Sequence, residues 1–294
     1  MSGEGILGQG GMVAGLRVLG VCAALACAGF AAPAVAQDAA RVSTDTVNAL
    51  LWMQTSAEYK AACLGAYAAA RAALDRALDD PEMSAALEQE AHPRGKPPAV
   101  ILDLDETVFD NSPYFAWLLK SGQEYSAQSF GDWVEERGAE AVPGALDYIR
   151  HAQSRGVAVF FVSNRSVKLE EATRDALKAY GVALDAHGED SVLLKRERRD
   201  WGMLKGSRRA FIAERYRIVQ IVGDTLGDFI DDFGVTVPQR TQEALSQTSY
   251  WGTKWVMLPN PVYGSWENAA YEYNIKLDED GRHAEKLRAL SPWK

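Results

Sequence analysis

The apolar run Pro98-Ala99-Val100-Ile101-Leu102 stops abruptly at Asp103-Leu104-Asp105-Glu106-Thr107. The linker His92-Pro93-Arg94-Gly95-Lys96-Pro97-Pro98 leads straight into it, so the run reads as a buried strand. Alternation along a strand puts Asp103 and Asp105 on one side. At the C-terminal end of a strand in an open α/β sheet, that side faces the crevice where ligands bind. Two carboxylates held close together repel, and a cation between them relieves the repulsion. All-oxygen donors suit Mg²⁺, which takes one or two carboxylates, waters and a substrate phosphate. An Asp-rich turn would look the same in isolation, so the reading depends on the rest of the chain.

Two further apolar segments end in the same way. Val157-Ala158-Val159-Phe160-Phe161-Val162 runs into Ser163-Asn164-Arg165, and Ile218-Val219-Gln220-Ile221-Val222 runs into Gly223-Asp224-Thr225-Leu226-Gly227-Asp228. A late strand, Trp255-Val256-Met257-Leu258, meets Pro259-Asn260-Pro261, and residues 191–194 read as a short strand. Between them the patterns predict helices over 144–153, over about 166–178 and over 205–215. Strands alternating with helices define an α/β chain with a mostly parallel central sheet and helices on both faces. Three such strand ends converge on one rim of the sheet.

Before the sheet, residues 43–91 read as helix with a break near Asp79-Asp80-Pro81. Leu50, Leu51, Met53, Tyr59, Leu64, Tyr67, Leu74 and Leu78 recur near helical spacing, so this extension is expected to pack on the core as an appendage. Roughly fifty residues separate the first two polar strand ends, too few for a large lid once the helix over 144–153 is counted. The aromatic stretch with Phe115, Trp117, Tyr125, Phe130 and Trp133 is therefore expected to be a small helical cap. The domain plan is a leader over 1–36, an extension and linker over 37–97, and a core over 98–294 with its cap at about 113–142.

The leader rests on Arg17, the apolar stretch from Val18 to Ala32, and Ala34-Val35-Ala36 before Gln37. Residues before Met12 fit no leader, which makes Met12 a rival start. The apolar stretch is short for a membrane span, and Ala24-Leu25-Ala26-Cys27 is a poor lipidation box. The expectation is cleavage after Ala36 and a periplasmic or secreted protein without stable membrane insertion, a lipid anchor being the alternative. Cleavage leaves Cys63 as the sole cysteine, with no internal disulfide. A formal net charge of −9 argues against a nucleic-acid-binding surface.

The converging strand ends carry complementary chemistry. The first offers a nucleophile and a second carboxylate. The second offers a hydroxyl, an amide and a cation beside a helix N-terminus suited to an anion. Asp224 and Asp228 on the third can complete a metal site, and Lys205 can reach in as a point charge. A phosphoryl group is the natural occupant of such a set.

Asp103-Leu104-Asp105-Glu106-Thr107, Ser163-Asn164-Arg165, Lys205 and Gly223-Asp224-x-x-x-Asp228 resemble, in order, the four motifs of haloacid-dehalogenase (HAD) superfamily phosphatases. The strings Leu102 to Tyr114, Phe161-Val162-Ser163-Asn164-Arg165 and Met257-Leu258-Pro259-Asn260 resemble the class C acid phosphatases, bacterial nucleotidases of subfamily IIIB. The resemblance, over roughly residues 98–270, implies a HAD-like Rossmannoid three-layer fold and Mg²⁺-dependent hydrolysis of phosphomonoesters, nucleoside 5′-monophosphates among them. It implies that Asp103 attacks phosphorus and that Asp105 protonates the leaving alcohol and then activates water. Asp103, the Asp105 carbonyl and Asp224 would hold Mg²⁺, with Asp228 supporting the metal or pairing with Lys205. Ser163, Lys205 and the Asn164 N–H would hold the phosphoryl oxygens, and Arg165 has either a supporting or a structural part. Lys195 rivals Lys205, although Ser207-Arg208-Arg209-Ala210-Phe211 continues as the family's helix does.

Trp133 and Tyr263 are candidates to sandwich a nucleobase, each stack being worth ~1–3 kcal/mol, with packing as the competing reading. Small phosphomonoesters are the expected partners, and the chain admits a homo-oligomer. Two other functions remain: a storage-type protein that keeps the fold without activity, and a phosphotransferase using alcohol acceptors. Loss of the nucleophile would mark the first, and Asp103 is present.

Overall fold

A computed structural model describes residues 44–89, 93–185 and 188–293, so the expected leader over 1–36 lies outside the described residues. A 3₁₀ turn (Thr44–Thr46) leads into α1 (Val47–Thr55) and α2 (Ala57–Asp79). Ser56 separates the two helices: its backbone is extended and its hydroxyl accepts the Tyr59 N–H at 3.0 Å. The buried stripe of α2 runs through Tyr59, Cys63, Tyr67, Ala70 and Leu74, while Leu51 and Leu64 are exposed. Small residues on that stripe let the helix lie close to its neighbour. A Cβ on Gly144 would stand 2.9 Å from the Cβ of Tyr67.

The helix expected over 80–91 does not form in its described part. Pro81 has no N–H with which to continue α2, and the chain beyond it bonds to the sheet. The Ala85 N–H donates to Ile218 O at 2.7 Å, and the Ala85 carbonyl accepts the Trp255 indole N–H at 2.8 Å.

The main elements follow in sequence. After β1 (Pro98–Leu102), a short hairpin of β2 (Phe109–Asp110) and β3 (Glu140–Ala141) brackets two helices, α3 (Ser112–Ser121) and α4 (Ala127–Glu136). Then come α5 (Ala145–Ser154), β4 (Ala158–Ser166), α6 (Glu170–Ala179) and β5 (Val192–Lys195). The chain continues through α7 (Gly206–Arg215), β6 (Arg217–Gly223), α8 (Val237–Ser246), β7 (Trp255–Met257), α9 (Ser265–Ala270) and α10 (Glu279–Ala289). α8 and α10 bury no residue, which is why no apolar periodicity announces them.

The main sheet is parallel, in the order β5-β4-β1-β6-β7. Alternation sorts each strand between two cores. Val100 and Leu102 pack with Tyr67, Tyr148 and Leu177 on one face, while Ala99 and Ile101 pack with Ile212, Trp201 and Trp255 on the other. Each large aliphatic side chain so buried contributes ~1.5–3 kcal/mol. Helix, sheet and helix thus form the three-layer α/β arrangement. The strand order puts β1, β4 and β6 side by side, so their polar C-terminal ends meet.

Candidate active site

The ladder of β1 continues one residue past its end, since the Asp103 N–H donates to Val222 O at 3.0 Å. The chain then turns: the Leu104 carbonyl accepts N–H groups from Val108 and Phe109, each at 2.8 Å, and Glu106 takes a φ of 59°. This turn points both aspartates at neighbouring strand ends.

Asp103 meets Lys205, the residue that precedes α7. The Lys205 ammonium is hydrogen-bonded to Asp103 Oδ1 and lies 2.6 Å from Asp228 Oδ1, and all three side chains are buried. Burial pushes the Asp103 carboxyl up to about 7, with Lys205 opposing and Asp228 and Asp105 adding repulsion. Lys205, by contrast, is held above its ordinary value, because the two aspartates outweigh the cost of burial. Lys195 is elsewhere, its Nζ 3.3 Å from Met203 Sδ at the sheet edge.

Asp228 is placed by the backbone. Its Oδ2 accepts the N–H groups of Asp224 at 3.1 Å and Thr225 at 3.0 Å. Gly223 permits this approach, since a Cβ there would stand 2.3 Å from that oxygen. Asp224 is oriented by Thr107 Oγ1, which donates at 3.2 Å, and by Asn260 Nδ2, which donates at 2.8 Å from the loop after β7. Burial raises the Asp224 pKa well above the usual carboxylate range, with Asp228 and Asp103 adding to it.

Carboxylate oxygens of Asp103, Asp224 and Asp228 lie within 4.8 Å of one another. A hard divalent cation fits this all-oxygen set and would offset its repulsion. Asp228 Oδ2 already accepts two backbone N–H groups and its Oδ1 faces Lys205. Each Asp224 oxygen accepts a single bond and Asp103 is bonded to Lys205 through Oδ1 alone, so Asp103 and Asp224 have more lone pairs to offer a cation.

β4 supplies the opposite wall. Ser163 is buried and its Oγ accepts the Arg165 N–H at 3.1 Å, leaving the hydroxyl proton for an anion. The Asn164 side chain spans two neighbours: Nδ2 donates to Met203 O at 3.0 Å, and Oδ1 accepts Arg208 Nη2 at 2.8 Å. Arg165 forks onto Asp105, with Nη2 2.8 Å from Oδ1 and Nε 3.2 Å from Oδ2.

Trp133 and Tyr263 are both tied to the loop after β1. The Trp133 indole N–H donates to Asn111 Oδ1 at 2.9 Å, and Asn111 Nδ2 donates to Asp105 Oδ1 at 2.9 Å. Tyr263 stacks on Phe115 with ring centroids 4.6 Å apart, and its hydroxyl donates to Glu106 Oε2. Both rings therefore support the loop after β1. Asn111, Asn260 and Arg208 escaped the sequence reading as site residues. Asn260 alone carried a signal, standing just past a strand end on the same rim.

The fold and the clustered strand ends define a HAD-type α/β site. The chain belongs to the acid phosphatase family of HAD superfamily subfamily IIIB, whose family model matches residues 15–266. It is similar to the class C acid phosphatase of Bacillus anthracis, solved with tungstate bound, with a TM-score of 0.74 and 32% identity. That match covers 86% of this chain and 100% of that one. Acid phosphatase 1 of Solanum lycopersicum is 27% identical over 172 residues, covering 55% of this chain and 57% of that protein. Vegetative storage protein 1 of Arabidopsis thaliana is 26% identical over 169 residues, covering 55% and 54%. The chain thus spans a little over half the length of these curated relatives.

Proposed function

We propose that this protein is an Mg²⁺-dependent phosphomonoesterase, with nucleoside 5′-monophosphates among its substrates, acting through an aspartyl-phosphate on Asp103. The observation that carries this reading is the buried Asp103–Lys205–Asp228 bridge beside Asp224, at the ends of adjacent parallel strands. Lys205, Ser163 and the Asn164 N–H hold the phosphoryl oxygens. Asp103 and Asp224, with the Asp105 carbonyl, would hold the cation, which when bound would neutralise charge between phosphate and carboxylates.

An oxygen of Asp103 attacks phosphorus, and the bond from phosphorus to the ester oxygen breaks. Asp105 gives its proton to that leaving oxygen. Asp105 then takes a proton from water, whose oxygen attacks phosphorus, and the bond to Asp103 breaks to release phosphate. Asp105 Oδ1 accepts three bonds from Arg165 and Asn111, while Oδ2 takes only the 3.2 Å contact from Arg165 Nε, so Oδ2 is the oxygen with room to carry the proton.

The presence of Asp103 opposes a purely storage role. Among the described residues no helix is long and apolar enough to cross a membrane, and the leader over 1–36 supports export. The test is phosphate release from 5′-AMP and p-nitrophenyl phosphate by purified residues 37–294, with and without Mg²⁺, beside Asp103→Asn. Mg²⁺-dependent turnover that the variant loses supports the reading, by a factor of ~10⁴–10⁶ if Asp103 is the nucleophile. Folded, metal-loaded protein that turns over neither ester would overturn it.

A further inference from the structure

The polar strand ends are mounted from behind by two arginines on the first turns of α7. Arg208 and Arg209 are adjacent, fully buried and point opposite ways. Arg208 reaches β4, where its Nη1 donates to Ser163 O at 2.6 Å. Arg209 reaches the loop after β6, where its Nη1 donates to Asp228 O at 2.8 Å and its Nη2 to Asp231 Oδ1 at 3.0 Å. The same Asp231 oxygen accepts the N–H of Gly206 at 2.8 Å, directly after Lys205. A Cβ on Gly206 would stand 2.3 Å from Asp231 Oδ2, so the approach is as close as backbone allows. One guanidinium thereby sets the spacing between the segment bearing Lys205 and the segment bearing Asp228.

The remaining edge of Arg209 is filled from the N-terminal extension. Glu88 accepts from Nε at 3.1 Å with each carboxylate oxygen, and from Nη2 at 2.6 Å. Its segment is tied down by Ala85 and by Gln89 Nε2, which donates to Ala213 O at 2.9 Å. The extension touches the other loop as well: the buried Tyr67 hydroxyl donates to Thr107 O at 2.6 Å, and Thr107 orients Asp224.

The electrostatics give this arrangement direction. Arg209 is a buried cation compensated by two carboxylates, and removing one leaves buried charge under-compensated. Without Glu88, the attraction of Arg209 falls on Asp231 alone and draws it off the Gly206 N–H. The start of α7 then shifts, and Lys205 moves with it. Loss of the Tyr67 hydroxyl frees Thr107 in the same manner.

We infer that the N-terminal extension is a positioning element of the active site: Glu88 acting through Arg209, and Tyr67 acting through Thr107, hold in register the loops that carry Lys205, Asp228 and Asp224. The inference rests on the proposed roles of Lys205 and Asp224. It makes the extension part of the catalytic scaffold, where sequence alone presents it as an appendage.

The test compares Glu88→Gln, Glu88→Asp and Tyr67→Phe with wild type in residues 37–294. It reads kcat and KM for p-nitrophenyl phosphate with saturating Mg²⁺, the inhibition constant of orthovanadate, and Tm, with assays run well below each variant's Tm. Glu88→Gln is expected to lower kcat and weaken orthovanadate each by ~10–100-fold, as support-layer substitutions do. Glu88→Asp restores part of both losses, and Tyr67→Phe lowers kcat in the same direction. Glu82→Gln, which breaks an exposed pair with Arg94 on the same segment, leaves both readouts as in wild type. A lowered Tm with kcat and orthovanadate inhibition within about twofold of wild type would reduce Glu88 to stability alone and overturn the inference. If Glu88→Gln does not fold, wild-type values in both Glu88→Asp and Tyr67→Phe overturn it. A wild type inert to both ester and orthovanadate would overturn the phosphatase reading, and this inference with it.

Discussion

The guanidinium of Arg165 clasps Asp105, with Nη2 2.8 Å from Oδ1 and Nε 3.2 Å from Oδ2. The fork cannot swing. Arg165 Nη1 donates to Thr173 Oγ1 at 3.2 Å, and the guanidinium carbon lies 5.1 Å from the Phe109 ring centroid. Arg165 thus decides which way the Asp105 carboxylate points, a contact that its residue type beside Ser163-Asn164 left undetermined.

Arg165→Lys keeps the charge but loses the planar fork. With alkyl phosphomonoesters, whose leaving group would need the proton proposed for Asp105, kcat is expected to fall by ~10²-fold. With p-nitrophenyl phosphate, whose phenolate leaves without much help, the loss is smaller. Parallel rate measurements check this, and equal losses on the two esters would show that Arg165 does not serve the acid.

Lys205→Met leaves Asp103 and Asp228 buried without their cation. Metal-free protein at pH 8 is expected to lose ~3–5 kcal/mol of stability in urea unfolding. The loss shrinks toward acid, because Asp103, already pushed up to about 7 by burial, is then neutral. Turnover is expected to fall by ~10²–10³-fold, the usual effect of removing one preorganised charge.

Metal binding has a readout apart from turnover. If Mg²⁺ is the proposed cation, adding it to chelator-treated wild type at about 100 times its Kd is expected to contribute ~2.7 kcal/mol and raise Tm by several degrees. Asp224→Asn is expected to abolish that rise. Without metal at pH 8 the same variant melts above wild type, since burial and the carboxylates of Asp228 and Asp103 disfavour the Asp224 charge. Scanning calorimetry with chelator and with Mg²⁺ tests both signs, and a retained Mg²⁺ shift would remove Asp224 from the metal site.

Asp185 lies at the far end of the sheet and offers a pH test independent of catalysis. Burial alone would raise its pKa, but the Ser191 N–H and hydroxyl, each 3.0 Å from Oδ1, and then Arg174, outweigh it and hold the carboxyl below its ordinary value. A depressed folded pKa means the stabilisation is complete above the unfolded value and fades as pH falls through the folded one. Asp185→Ala is therefore expected to cost ~1 kcal/mol at pH 7, a modest figure because the side chain is largely exposed. The difference between variant and wild type narrows below about pH 4 in urea titrations. A difference that does not change down to pH 2 would assign the effect to packing.

The α/β class, the main strands and the aspartates of the candidate site were legible in the sequence. Buried parallel strands are written as apolar runs, and chemistry concentrates where those runs stop. Asp103, Asp105, Ser163 and Asp224 each stand at such a boundary, and Lys205 stands at the start of α7. Only the tertiary structure decided what sets their geometry. Asn260 reaches Asp224 from the loop after β7, Tyr263 and Trp133 brace the first loop, and Glu88 reaches Arg209 across 121 positions of chain. Periodicity reports which face of an element is buried, and α8 and α10, which bury no residue, are silent for that reason. A hydrogen bond between distant segments leaves no periodic trace, because its partners become neighbours only when the strand order is assembled. The chemistry of the site was therefore local in the chain, and its precision is a property of the packed whole.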